Sequence, residues 1–504
     1  MPETTWQKFY HNWISYAGTA EAILAFICFV FLLIFQSLGG AALNAPYGAL
    51  VIFVVTPGFL ILGLLLILLG MVYEWWRWKR HKPPSISAYP VIDLRLPSHR
   101  RVLGMVSIVT LIFVFLSVFE SYKTYQATES VAFCGILCHG VMQPEYISHK
   151  VSPHARVRCV DCHVGAGAKG FFGSKLQGTL QMYEMVSGTV PRPILSPLSV
   201  LRPVRVACQE CHWPAKFYEA EQLTTVHYLP NKQNTRWEIT LLLKVGGGGP
   251  YNPQAKGIHW HVGPQTRVEY LATDKQLQNI PWVRYTDLET GKSLVYTTSN
   301  APPSPTIKAL EIHTMDCMDC HDRPTHIFHS PSHLMNKSMA ADYVDPTLPN
   351  VKRTGVRLLA TKYDSQKAGA EAIASGLESY YRKNYPEIAQ EKAASIARAV
   401  TKLQVIYREN FFPYMKVRWD TYTDNVGHLD SLGCFRCHDG LHKTADGRVI
   451  GNECTTCHTI IQQGTPGKMA YSTEPGGLTF QHPVSIGGVW QTMNCDLCHT
   501  GAIP

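Results

Sequence analysis

Cys134-Gly-Ile-Leu-Cys138-His139 is followed by Cys159-Val-Asp-Cys162-His163 and Cys208-Gln-Glu-Cys211-His212. The pattern returns at Cys317/Cys320/His321, Cys434/Cys437/His438, Cys454/Cys457/His458 and Cys495/Cys498/His499. Six of the seven read CxxCH, and the first carries one extra spacer residue. Together they use 14 of the 15 cysteines. Two thiols at this spacing reach both vinyl groups of one porphyrin, and the histidine that follows is placed to take the iron. A zinc site would not put His directly after the second Cys every time. The chain is therefore expected to hold seven covalently bound haem c groups and to work by electron transfer.

The same residues fix the compartment, because haem c is attached on the outer side of the bacterial inner membrane and thioethers are not disulfides. Everything from Val131 onward is expected to be periplasmic. Ahead of it stand three uncharged apolar stretches, Ala22 to Leu38, Tyr47 to Tyr73 and Val102 to Phe119. Each is about long enough to span a bilayer, and a cleaved signal peptide would explain only the first. The loop between the second and third carries Arg77, Lys79, Arg80, Lys82, Arg95, Arg100 and Arg101, which places it in the cytoplasm together with the N-terminus. Trp75, Trp76 and Trp78 beside it suit an interfacial belt. Trp6 to Tyr16 reads as an interfacial lead-in. Pro57 and Gly58 are expected to kink the second span, and Cys28 is read as a small buried hydrophobe.

The formal charge of +9 omits the cofactors. Each haem brings roughly −1 when oxidised and −2 when reduced, so the basic excess largely offsets propionates. No case for nucleic-acid binding follows. The expected architecture is a multihaem cytochrome c with three N-terminal transmembrane helices. Its periplasmic part should be irregular and α-helical, packed on haem, with a small β-rich insertion. The blocks are a membrane anchor (1–121, with basic loop 74–101), sites one to three (122–221) and the insertion (222–306). A site-four segment (307–345), a helical connector (346–410) and sites five to seven (411–504) follow. Strand-like runs Arg236 to Val245 and Arg267 to Ala272 mark the insertion. Asp364 to Asn410 reads as two helices divided by Pro386.

The run from the third apolar stretch to site four resembles the NapC/NirT/NrfH family of membrane-anchored multihaem quinol dehydrogenases. The resemblance lies in Met142 shortly after His139, in Glu145-Tyr146-Ile-Ser148-His149, and in Cys159-Val-Asp161-Cys162-His163-Val164. It extends to His313 and His326 on either side of site four. With its seven haems and three spans the chain is similar to heptahaem inner-membrane cytochromes of metal-reducing bacteria. The resemblance implies oxidation of menaquinol from the membrane quinone pool and delivery of electrons to periplasmic c-type cytochromes. It also implies Met142 as a ligand at site one, and His149, His313 and His326 as distal ligands of sites four, three and two. Lys175 and Glu184 are chosen from a stretch that also holds Lys169 and Tyr183, as the base and acidic partner that assist quinol oxidation.

Bis-histidine ligation of sites two to seven needs six distal imidazoles, and His428, His442 and His482, each near a C-terminal motif, complete the set. His259 and His261 alternate about Trp260, so on a strand only one of them could face a haem. Two other functions stay open: an electron-transfer subunit of a larger complex with the quinone site elsewhere, and a terminal reductase with one open iron.

Overall fold

Uncharged apolar runs must satisfy their backbone groups internally, and the helix is the local way to do so. The first of two compact units, Met1–Glu129, accordingly holds three long helices, α1 (Trp13–Ser37), α2 (Thr56–Lys79) and α3 (Pro97–Thr128). The second unit is Ser130–Pro504. The computed structural model describes residues 7–37, 55–80, 94–137, 140–164, 167–196, 204–212, 220–246, 257–302 and 311–502. The basic loop between 81 and 93 lies outside them.

α1 and α2 pack along small residues. Gly18 faces Gly63 so closely that a Cβ on either would meet the other's backbone, and Ser15 Oγ donates to Ile67 O at 3.1 Å. Such stripes let apolar helices approach where lipid offers no hydrophobic drive. Cys28 falls off the Ser15/Gly18/Ala22/Ala25 stripe and is exposed, not buried as expected. Pro57 opens α2 at its first turn instead of kinking it, because there its missing N–H costs nothing. Lys79 lies 4.2 Å over the Trp75 ring and Arg80 3.4 Å over Trp76, which ties the aromatic cluster to the basic end of α2.

Among the described residues, Trp13–Leu32 and Thr56–Lys79 are long and apolar enough to cross a membrane. The third expected span, Val102 to Phe119, is helical throughout within α3 but is not one of these two.

In the second unit the helices α4 (Gln143–Val151) and α5 (Gly167–Ser187) come first. A helical core follows the fourth motif: α6 (Pro331–Ala340), α7 (Val351–Ala360), α8 (Gln366–Asn384), α9 (Pro386–Glu391) and α10 (Ala393–Asn410). Ser330 and Ser365 cap α6 and α8, and Pro386 starts α9, dividing the connector where the sequence divides it. Met335, Leu359, Ile373, Leu377, Leu403 and Tyr407 close its apolar core. The side-chain core thus sits in the connector.

The β structure is larger than one insertion. Strands β1 (Glu221–Tyr228) and β2 (Arg236–Leu243) form an antiparallel hairpin in register with β7 (His458–Thr465) and β8 (Lys468–Tyr471) from the C-terminal block. A second sheet has the order β5-β4-β3-β6, from β3 (Thr266–Leu271), β4 (Trp282–Asp287), β5 (Ser293–Thr297) and β6 (His313–Thr314). The C-terminal hairpin was not anticipated, because its first residue is also the histidine of the sixth motif.

Candidate haem sites

A CxxCH segment wound into one helical turn puts both thiols and the imidazole on one side, since positions i, i+3 and i+4 share a face. That is how the motifs fold. Backbone N–H groups of His212, His321, His438 and His499 each donate to the carbonyl of their first cysteine, at 2.8, 2.8, 3.0 and 2.8 Å. The first motif has one residue too many for such a turn, and Phe133–Leu137 forms a π-helical turn that absorbs it. Cys138 and His139 lie outside the described residues. Met142 is half-buried and stands at the N-cap of α4, and Tyr414 pins that turn by donating to Gly140 O and Gln143 Oε1. Among the described residues no group of three or more His, Cys, Asp or Glu is arranged to hold a bare ion.

A second imidazole ring stands opposite each of the six described motif histidines. Ring centres are 6.3 Å apart for His163 and His326, 6.0 Å for His212 and His154, and 6.4 Å for His321 and His259. They are 5.8 Å apart for His438 and His261, 6.2 Å for His458 and His428, and 6.1 Å for His499 and His482. With a metal–nitrogen bond of about 2.0 Å and a ring centre about 1.1 Å behind it, two imidazoles on one iron have centres about 6.2 Å apart. The six pairs therefore leave room for one iron each. The stacked His329–His333 pair, at 4.7 Å, does not.

Hydrogen bonding supports the same sorting. Nδ1 donates to a backbone carbonyl in His326 (Glu145 O, 3.0 Å), His259 (Val245 O, 2.8 Å), His261 (Ile258 O, 2.7 Å), His438 (Gly451 O, 2.6 Å) and His482 (Val484 O, 2.7 Å). Holding the proton on Nδ1 leaves the Nε2 lone pair free for a metal and fixes the ring's orientation. Burial lowers the pKa of His163, His259, His261, His321, His428, His458 and His499, and pushes His326 down to about 3 with help from the Arg323 charge. Neutral imidazole is the coordinating form.

Three expected ligands are placed elsewhere. His149 is buried in α4 with Nε2 engaged by Val157 O at 2.9 Å. His313 lies in β6, stacked on the Tyr270 ring. His442 is buried with both ring nitrogens spent, one at 2.9 Å on Asp439 and one at 2.7 Å on Ile280 O. His154, His259 and His261 occupy the corresponding positions. His259 and His261 both face motif histidines because Ile258–Val262 is a 3-10 turn and not a strand. Residues two apart on such a turn diverge by about 240°, so each reaches a different site. The signal that could have found them is the pair of glycines, Gly257 and Gly263, bracketing five residues too short for a strand with two faces in use.

The surroundings of His326 tie site two to site four. Arg323 Nε donates to His326 O at 2.8 Å, its guanidinium lies 3.8 Å over the Tyr422 ring, and it approaches the buried Glu145 carboxylate at 3.6 Å. Burial raises the Glu145 pKa, and Arg323 partly offsets that.

The NapC/NirT cytochrome c family model, N-terminal region, matches residues 96–193. Over 498 residues the chain is 39% identical to the cytochrome c-type protein ImcH of Geobacter sulfurreducens, covering 97% of this chain and 95% of that protein. The chain belongs to the NapC/NirT cytochrome c family. No solved structure matches it. Membership makes covalent haem c the group these motifs hold, and the ring pairs fit it. The Cys/His turns would carry the thioethers and proximal ligands, and the facing histidines would close the second axial position.

For the expected quinol residues of this cytochrome, the structure corrects the pairing. Lys175 and Glu184 are nine positions apart in the continuous helix α5. At about 100° per residue they stand on opposite sides of it, so they do not form one base–acid couple. Glu184 is exposed, and the Lys175 side chain lies outside what is described.

Proposed function

We propose that this membrane-anchored cytochrome takes electrons from menaquinol at the outer face of the bacterial inner membrane. It passes them through seven haems to periplasmic c-type cytochromes or an extracellular chain. The observation that carries the reading is the set of six imidazole pairs at iron-spanning separation, one for every motif histidine described. Two fixed imidazoles stay in place through a redox change, which suits electron transfer and leaves no open position for a substrate. Site one has no such partner assigned, with Met142 the nearest candidate, and stands closest in sequence to the apolar helices. It is the proposed entry point.

Bound haem supplies one-electron exchange at each iron, so a quinol that loses two electrons and two protons leaves as quinone while the electrons are accepted singly. Lys175, on the helix after site two, is the proposed proton acceptor. The topology that goes with this reading has three spans, a cytoplasmic N-terminus and basic loop, and a periplasmic haem region.

Anaerobic stopped-flow absorbance tests it, with the haem-loaded protein mixed with a reduced menaquinone analogue. Rapid haem reduction, slowed in Lys175→Ala, is expected. A protein that dithionite reduces fully but quinol does not would move quinol oxidation to another subunit.

A further inference from the structure

Between motifs, the attachment cysteines touch in a regular way. The side chain of Cys134 is in hydrogen-bonding contact with Cys159, that of Cys208 with Cys317, and that of Cys434 with Cys457. These contacts join sites one and two, three and four, and five and six. Looser electrostatic neighbours join the pairs: Cys162 with Cys208, Cys320 with Cys434 and Cys437, and Cys454 with Cys495. Each of these contacts joins consecutive motifs, although sites three and four are separated by the insertion and sites four and five by the helical connector. Packing agrees. Asp319 of motif four takes a hydrogen bond from Tyr270 on β3, and its carbonyl takes another from Arg436 of motif five. Asp496 of motif seven acts on His428, the ring that faces motif six.

We propose that the seven attachment sites stand in single file in the order of the sequence. They close up as the tight pairs one–two, three–four and five–six, with Cys495/Cys498/His499 at the far end as the exit. The proposal rests on the reading of the ring pairs as axial ligands and adds order and direction to it. The attachment cysteines mark one edge of each porphyrin, and electron exchange falls steeply with edge separation, so sulfurs in contact mark the fastest steps. At the exit, one electron leaves motif seven and one ferric c-type centre of a partner becomes ferrous. Cys498 of that motif is exposed.

Redox interaction between chosen pairs tests the order. Replacing a distal His by Met raises the potential of that haem, so double variants bring two chosen haems above the rest in a spectropotentiometric titration of the full, haem-loaded chain. In His261→Met/His428→Met (sites five and six) and His154→Met/His259→Met (three and four), reducing the first haem should lower the potential of the second. The two waves should then separate beyond their positions in the single variants. In His154→Met/His428→Met (three and six) they should keep those positions. Separation in the third variant without separation in the first two would overturn the order.

If the single variants move no haem, the ligand set fails instead. The order is then read from Cys454→Ser/Cys457→Ser, which lacks haem six and uses no distal ligand. Donor electrons should fill haems one to five and leave haem seven oxidised on the same time scale. Unimpeded reduction of haem seven in that variant refutes the single file.

Discussion

His259→Ala separates the ligand set built on ring pairing from the one implied by family positions, because the latter gives site four to His149. The His259 ring centre is 6.4 Å from that of His321 and the planes are 8° apart, so truncation removes the only ring facing this motif histidine among the described residues. The fold should survive. Val245 O loses the His259 Nδ1 donor at 2.8 Å but keeps the His259 backbone N–H at 3.3 Å. The lost side-chain bond therefore costs about 0.5–1.5 kcal/mol. One haem of seven should become five-coordinate and high-spin, visible as a new high-spin signal in electron paramagnetic resonance. In the reduced protein carbon monoxide should bind to one additional haem per chain. His149→Ala and His313→Ala should add no such haem. If His149→Ala opens a carbon monoxide site and His259→Ala does not, the pairing argument is wrong at site four.

Lys352 is buried among neutral acceptors, donating to Ser332 O at 2.6 Å, Ser332 Oγ at 3.0 Å and Asn336 Oδ1 at 2.8 Å. Burial pushes its pKa down to about 7, against a smaller opposing pull from Asp430. Between about pH 7 and 10.5 the unfolded chain keeps a proton that the folded one has lost, so raising the pH favours folding, by at most ~1.4 kcal/mol per pH unit. The melting temperature of wild type relative to Lys352→Met should climb from pH 7 to 10, and a flat difference would contradict the depressed value. Arg436 is buried and donates to Gly433 O at 3.0 Å, Leu277 O at 2.9 Å and Asp319 O. Arg436→Met should cost ~3–5 kcal/mol by stranding buried carbonyls, read as a drop in the near-ultraviolet circular dichroism melt. An unchanged melt would show the arginine to be dispensable.

Haem attachment was legible because its chemistry is local: two thiols and an imidazole must share one turn, so the spacing is written in the chain. The long helices were legible for the same reason, as was the break at Pro386. Distal ligation is not local. His326 stands beyond motif four yet faces His163, and His154 precedes motif two yet faces His212. Short sequence distance gave the right ring for His428 and His482 in the sense that both belong to the set. It misled for His442, four residues past motif five, whose imidazole is held by Asp439 and Ile280. Assuming a strand at His259 and His261 excluded one of two rings that the 3-10 turn presents together.

The insertion between motifs three and four looks superfluous to a haem chain until its strands are followed. β2 pairs with β7, whose first residue is His458, so Leu243 sits opposite the histidine of motif six. One residue on, Lys244 N–H donates to Cys457 O at 2.8 Å and its ammonium to Thr455 O. The next residue, Val245, accepts from the ring facing motif four, and the 3-10 turn it anchors also carries the ring facing motif five. Three consecutive residues thus span from one motif to the ligands of two others. A β ladder holds that distance better than a loop, because each hydrogen-bonded pair fixes its neighbour's register. The sheet therefore keeps sites four, five and six in a constant relation where no continuous side-chain core can form. A one-residue deletion in β2 would move Val245 and both ligand rings out of place together, while leaving every attachment motif intact.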